Sequence, residues 1–169
     1  MDFTIRTARP EEYARAGELT ADVYLHDGLL EFGASDPYLA VLRDAEQRAA
    51  QAELLVAVEP SGTVLGSVTY VGDGGPYAEL ADEREAEFRM LAVSGAARGR
   101  GVGEALVRAC LDRSRERQRE RVVISSLPEM TTAHRLYGRL GFVRAPHRDW
   151  EPLPDLPLWA FTVELSSEI

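Results

Sequence analysis

Glu87-Phe-Arg-Met-Leu-Ala-Val93, Arg98-Gly-Arg-Gly-Val-Gly103 and Glu104-Ala-Leu-Val-Arg-Ala-Cys110 read in succession as a strand, a glycine-rich turn and the start of a helix. Glycines at 99, 101 and 103 strip the turn of side chains. Backbone N–H groups there are free to point outward at the positive end of a helix dipole, a ready site for phosphate or pyrophosphate. Arg98 and Arg100 add fixed positive charge beside it. The dinucleotide pattern G-x-G-x-x-G fails, because Leu106 stands where its third glycine would fall. The P-loop pattern fails as well, since no Gly-Lys-Ser/Thr occurs.

The spacing that fits is Arg-x-x-Gly-x-Gly, as Arg98, Gly101 and Gly103, behind the strand Met90-Leu-Ala-Val93. This segment resembles the acetyl-CoA-binding segment of the GNAT (Gcn5-related N-acetyltransferase) family. A second segment, Ala133-His-Arg-Leu-Tyr137-Gly-Arg-Leu-Gly141-Phe142, resembles that family's later helix, with its A-x-x-L-Y-x-x-x-G-F pattern. The two stand in the family's order and at its usual separation. The resemblance implies an α/β (α+β) fold. Its mixed, mostly antiparallel central sheet would have about seven strands, with about four flanking helices and two parallel central strands that splay at the cofactor site. Those would be the strands ending at Val93 and Ser126.

Composition sets the outer bounds. The chain of 169 residues reads as a single domain over residues 1–169, long enough for a substantial core. Its 45% apolar and 28% charged content is that of an ordinary globular protein. No apolar run approaches the ~20 residues that span a bilayer, and the N-terminus lacks a signal peptide's pattern, so no membrane association is expected. One cysteine excludes an internal disulfide and fits a reducing cytoplasm. One cysteine and three scattered histidines make zinc, and a metal generally, unexpected. The net charge of −9 argues against nucleic acid as a partner and favours a cationic or amine-bearing one.

The remaining pattern fills out the order. Residues 3–8 alternate as a first strand, and Pro10 opens a helix to about Tyr24. Asp36-Pro37 starts a second helix to about Ala50, and residues 54–59 and 64–71 are strands. Residues 72–84 form a loop, and a helix covers Val102–Arg117. Residues 121–126 are a buried strand, and the next helix ends at Gly141. A strand at residues 142–145, a proline-rich connection and a last strand at residues 158–165 complete the chain.

What the resemblance implies for chemistry can be carried over residue by residue. Met90, Leu91, Ala92 and Val93 would meet the cofactor's amide-bearing arm with backbone groups left unpaired by the splay. Arg98, Gly99, Arg100, Gly101, Val102, Gly103 and Glu104 would form the pyrophosphate loop, and Thr131 would line the cleft from the later helix. Thr132, Arg135 and Arg139 are further cleft candidates. Tyr137 matches the tyrosine that lies near the CoA sulfur in the family. A phenol can donate to a forming thiolate, whose reference pKa is roughly 8.5. Glu87 matches a strand position that holds a glutamate base in some members, and strand alternation places it with Arg89 and Leu91 on one face until a bulge intervenes. Glu85 or a water is the alternative proton acceptor. Cys110, at a core-facing spacing with Leu106, reads as inert packing.

Acceptor contacts are expected from three segments, 26–36, 72–84 and 145–157. They carry His26, His147, Tyr38, Tyr77, Trp150 and many acids, among them Asp27, Glu31, Asp36 and Glu79. The implied activity is acetyl transfer from acetyl-CoA to an amine of a small molecule or peptide, by direct attack in a ternary complex. A non-catalytic acyl-CoA sensor and an O-acyl or longer-acyl transferase are the alternatives. In the family, exposed sheet edges often pair into a homodimer.

Overall fold

A computed structural model describes residues 2–30 and 32–165 of the chain. The strands are β1 (Thr4–Thr7), β2 (Glu53–Val58), β3 (Val64–Val71), β4 (Glu85–Val93), β5 (Arg121–Ser126), β6 (Val143–Arg144), β7 (Trp150–Leu153) and β8 (Leu156–Glu164). The α-helices are α1 (Tyr13–His26), α2 (Tyr38–Arg43), α3 (Ala45–Gln51), α4 (Val102–Glu116) and α5 (Thr131–Arg139). The sheet order is β1-β2-β3-β4-β5-β8-β6, with β7 hairpinned onto β8. Only β4 and β5 pair in parallel, and their ladder stops at Glu87 opposite Val123. Beyond that point β5 follows β8 as far as Ser126 while β4 stays with β3, so the two central strands part as expected.

Strand alternation builds two core layers. Leu55, Val68, Tyr70, Phe88, Val122 and Ile124 face α4 and α5, where they meet Leu106, Val107, Cys110 and Leu136. Leu54, Val56, Val58 and Ala92 face α1 and α3 on the other side, and Met90 meets α1 and α2 through Ala21, Leu39 and Leu42. Burial on both faces explains why β3 is buried along its whole length and reads as an apolar run.

The structure departs from the sequence expectation in three places. The second helix is broken in two at Asp44 (φ −84°, ψ 65°), whose side chain accepts the Gln47 N–H at 3.1 Å and caps α3. Buried Arg48 donates to the carbonyls of Val41 (2.9 Å) and Leu42 (2.7 Å) at the break, and the Val41 carbonyl also accepts the Asp44 N–H at 3.2 Å. The proline-rich connection contributes an eighth strand, β7, because Pro152 sits on an edge where no N–H is needed. Finally, β4 carries a bulge. Thr69 pairs with Arg89 and Ser67 with Ala92, so two residues, Met90 and Leu91, oppose Val68 alone. Met90 takes φ +58°, a left-handed conformation costing a non-glycine residue about 1–3 kcal/mol. The extra residue flips the parity of the strand. Leu91 and Val93 pack toward α4, whereas Met90 and Ala92 pack toward α1.

Candidate active site

Where β4 and β5 part, a cleft of about 700 Å³ opens against the start of α4 and one face of α5. Its floor is Leu91, Ala92 and Val93, and its wall is the turn before α4. Gly99 (φ +83°) and Gly101 (φ +79°) are both left-handed, which L side chains rarely adopt, and an added Cβ would point into open space at either. The first amide of α4 to find a carbonyl is that of Ala105, which donates to Gly101 at 3.0 Å. The amides of Val102, Gly103 and Glu104 precede it, in residues that line the cleft at the positive end of a 15-residue helix. Arg98, Arg135 and Arg139 line the same cleft. Arg98 is held by Asp27, with Nη2 donating to both carboxylate oxygens at 2.9 and 3.1 Å. These features fit the cofactor that the resemblance implies: free amides and cations for a pyrophosphate, and unladdered strand edges for an amide-bearing arm.

A second cavity, of about 280 Å³, lies on the far side of the Met90 bulge. Tyr24, Leu29 and Met130 line both spaces, which are therefore neighbours. Among the described residues, its charged lining is Asp36, Glu79 and Arg89. Arg89 pairs with Glu79 at 3.1 Å and donates to the Tyr38 hydroxyl (3.2 Å) and the Tyr77 carbonyl (3.3 Å). Burial pushes the Glu79 carboxyl above the usual range; Arg89 pulls it down, and nearby Glu87 pushes it further up. Burial likewise raises the phenols of Tyr24 and Tyr38, keeping both protonated at neutral pH.

The expected site residues divide. Leu91, Ala92, Val93, Arg98, Gly99, Gly101, Val102, Gly103, Glu104 and Thr131 line the first cleft, together with Thr132, Arg135 and Arg139. Met90 lines the second cavity instead, because the bulge turns it toward α1 and α2. Arg100 lines neither; its guanidinium turns away to Asp2 (2.8 Å) and Glu59 (3.3 Å). Tyr137, expected at the cofactor, lines neither space: it is buried with its ring against Phe88, Phe142 and Phe161, next in the chain to the cleft-lining Leu136. Burial raises its phenol pKa.

Glu87 is fully buried and lines neither space. Its Oε1 accepts the N–H groups of Glu79, Leu80 and Ala81 at 2.9, 3.1 and 3.1 Å, and its Oε2 has no protein partner. Burial raises its pKa against the pull of those three amides. Arg89, expected on the same strand face, pairs with Glu79. Glu85 is held by Arg121 (2.8 Å) and Arg148 (2.7 Å). Burial would raise its carboxyl, but hydrogen bonds from Arg148, Arg121 and the Asp82 amide outweigh it and bring the pKa to about 2. That removes it as a proton acceptor at neutral pH. Cys110 is fully buried, and burial raises its thiol.

Of the acceptor candidates, Asp36, Tyr38 and Glu79 reach the second cavity and Asp27 the first. His26, Tyr77, His147 and Trp150 line neither, and Glu31 lies outside the described residues. Sequence reasoning missed Tyr24, which no motif marks, and the pairing of Ser126 with His134. The latter's Nε2 stands 3.0 Å from the Ser126 hydroxyl, and its ring stacks against Phe161 and Trp159. Among the described residues, no cluster of three or more His, Cys, Asp or Glu side chains is placed to hold a metal ion. No described helix is long and apolar enough to cross a membrane.

Solved structures share this architecture across nearly the whole chain. A histone acetyltransferase HPA2 and related acetyltransferase from Corynebacterium glutamicum is 21% identical, with a TM-score of 0.75 and 99% of each chain covered. A GCN5-related N-acetyltransferase from Kribbella flavida is 23% identical, with a TM-score of 0.71 and coverage of 97% of this chain and 98% of that one. A GNAT superfamily phosphinothricin acetyltransferase from Sinorhizobium meliloti, solved in complex with acetyl-CoA, is 18% identical, with a TM-score of 0.73 and coverage of 98% and 90%. No curated protein matches the chain. At these identities the structures speak for the fold. The family rests on residues 20–142, which match the family model described as Acetyltransferase (GNAT) family. With the signature turn, the parted strands and that match in agreement, the chain belongs to the GNAT acetyltransferase family.

Proposed function

We propose that the chain is an acetyl-CoA-dependent N-acetyltransferase acting on a primary amine of a small molecule or peptide, with both substrates bound at once. The observation that carries this reading is the pair of neighbouring spaces that share Tyr24, Leu29 and Met130 as walls. One has the polarity for a pyrophosphate and the other is mostly apolar. Two neighbouring spaces suit direct transfer, and Cys110, the only thiol, is buried away from both.

Acetyl-CoA, when bound, supplies a thioester whose carbonyl carbon takes the amine nitrogen as the C–S bond breaks. The amides of residues 102–104, with Arg98 and Arg135, hold the phosphates in this reading. Glu79 faces the acceptor space and takes the amine proton, and Glu87 behind it is the second carboxylate of the relay. Both are raised by burial, which brings a carboxylate nearer the operating pH of a base. Tyr137, kept protonated by burial, is the donor to the leaving thiolate.

Calorimetric titration with acetyl-CoA and with CoA, on the wild type and on Gly101→Glu, tests the donor half. Saturable binding that the variant loses is expected. Thiol release with an amine panel tests the transfer. Mass spectrometry after incubation with acetyl-CoA alone tests direct attack, with no acetylated peptide expected, including the one spanning Ser126.

A further inference from the structure

We infer that the acceptor is a monoamine carried on an apolar body, aromatic or branched aliphatic, of on the order of ten non-hydrogen atoms. This rests on the acetyltransferase reading above and narrows its acceptor.

Size comes first. The acceptor space is about 280 Å³. At about 30 Å³ for each water-sized group it holds on the order of ten, below the range of drug-sized ligand sites. A long peptide does not fit inside it.

The walls decide the body of the ligand. Leu29 and Leu30 after α1, Leu127 after β5, and Leu156 and Leu158 on β8 enclose it from three separate segments. The mouth is apolar as well. Phe32 and Leu153 line the space yet are 60% and 54% exposed, an unusual disposition for large apolar side chains at a pocket rim. Water gains nothing from these surfaces, whereas an apolar ligand removes them from water.

The charges decide the head group. The Asp36 carboxylate is already occupied, accepting the N–H groups of Phe32 (3.2 Å) and Tyr38 (2.9 Å). Arg89 is occupied by Glu79, the Tyr38 hydroxyl and the Tyr77 carbonyl. Among the described lining residues two carboxylates face one guanidinium, so a carboxylate on the substrate would compete with Glu79 for Arg89 and be repelled by both acids. One ammonium group, received by Glu79, balances the charge of the described lining residues. A second ammonium would be driven against leucine walls, where an unpaired charge is strongly disfavoured. One amine and no carboxylate is the charge pattern this space accepts.

The test uses the full chain at saturating acetyl-CoA, with thiol release as the readout. The acceptors are 2-phenylethylamine, 3-methylbutylamine, L-phenylalanine and spermidine. The apolar monoamines are expected to exceed the other two in kcat/KM by at least about tenfold, the scale a single pocket mismatch commonly gives. Phe32→Ser, at an exposed position that cannot unfold the core, is expected to raise the KM for 2-phenylethylamine about fivefold while leaving acetyl-CoA binding by calorimetry unchanged. Spermidine or L-phenylalanine equal to or better than the monoamines overturns the inference, as does acetyl-CoA binding with no apolar amine turned over. Failure to bind acetyl-CoA at all overturns the acetyltransferase reading itself, and this inference with it.

Discussion

The side chain of Glu87 holds the backbone of Glu79: its Oε1 accepts the Glu79 N–H at 2.9 Å, and the next two amides converge on the same oxygen. A buried strand carboxylate thus anchors the loop that delivers a second acid to the acceptor space. Glu87→Gln keeps an oxygen for the three amides and should cost no more than about 1 kcal/mol of stability. Glu87→Ala strands them and should cost about 2–4 kcal/mol. If Glu87 is the rear carboxylate of the relay, the Gln variant also loses about tenfold in kcat at unchanged acceptor KM. Urea denaturation and steady-state kinetics separate the two effects, and an unaltered kcat would leave Glu87 as an anchor only.

Glu79 and Glu87 both sit above the ordinary carboxylate range, and a base must be ionised to act. Activity should therefore rise with pH through a limb displaced upward from the usual carboxylate position. Glu79→Gln should lower kcat/KM about a hundredfold and abolish that limb. A pH profile whose limb survives in the variant rejects Glu79 as the proton acceptor.

Glu85 has the opposite shift, from 4.5 down to about 2. A depressed carboxylate adds stability above its unfolded pKa and loses it as pH falls through the folded one. Glu85→Gln should cost about 2–3 kcal/mol at pH 7, allowing for the partly exposed arginines. The difference from wild type should shrink by more than half at pH 3. Chemical denaturation at both pH values checks it; an equal cost at each would show that packing, not charge, holds this corner.

Arg98 lines the donor cleft while bound to Asp27, and Arg100 faces away from it. Asp27→Asn frees Arg98 and should tighten acetyl-CoA about two- to threefold at low salt. Arg98→Ala should weaken it about tenfold. Arg100→Ala should change it less than about twofold. Calorimetry on the three variants decides whether the cation in the loop is the one the geometry selects.

Tyr137 makes no side-chain hydrogen bond with the described residues, so removing its hydroxyl leaves no protein group stranded. Tyr137→Phe should melt within about 2 °C of wild type and bind acetyl-CoA normally. Its kcat should fall at least about tenfold. Unchanged turnover would return Tyr137 to the core as a packing residue.

Much of the molecule was legible in the chain because the signals are local. A left-handed turn at Gly99 and Gly101 followed by an amphipathic helix needs only neighbouring residues, and the structure has both where the pattern puts them. The donor-side contacts follow from that turn, so all but Met90 and Arg100 of the loop and strand positions line the cleft. Arg100 could not be read this way. Its direction is set by Asp2 and Glu59, which lie far from it in the chain. The Asp44 break is locally encoded by a capping aspartate, but the buried Arg48 that satisfies its carbonyls becomes visible only when α3 is packed.

Local signals in the chain were enough for the order of the principal elements, the strand–turn–helix that presents free amides, and the family. Periodicity, capping and glycine conformation act over a few residues, and they survive without a tertiary context. Which acid meets the acceptor space was settled by packing between distant segments. The bulge at Met90 reverses the side-chain parity of β4, and the loop after β3 folds down onto Glu87, so that Glu79 rather than Glu87 lines the cavity. That packing also decided that a proline-rich connection would become β7 and close the apolar wall. Each depends on groups far apart in the chain competing for the same hydrogen bonds and the same buried volume, and no short window of residues encodes that competition.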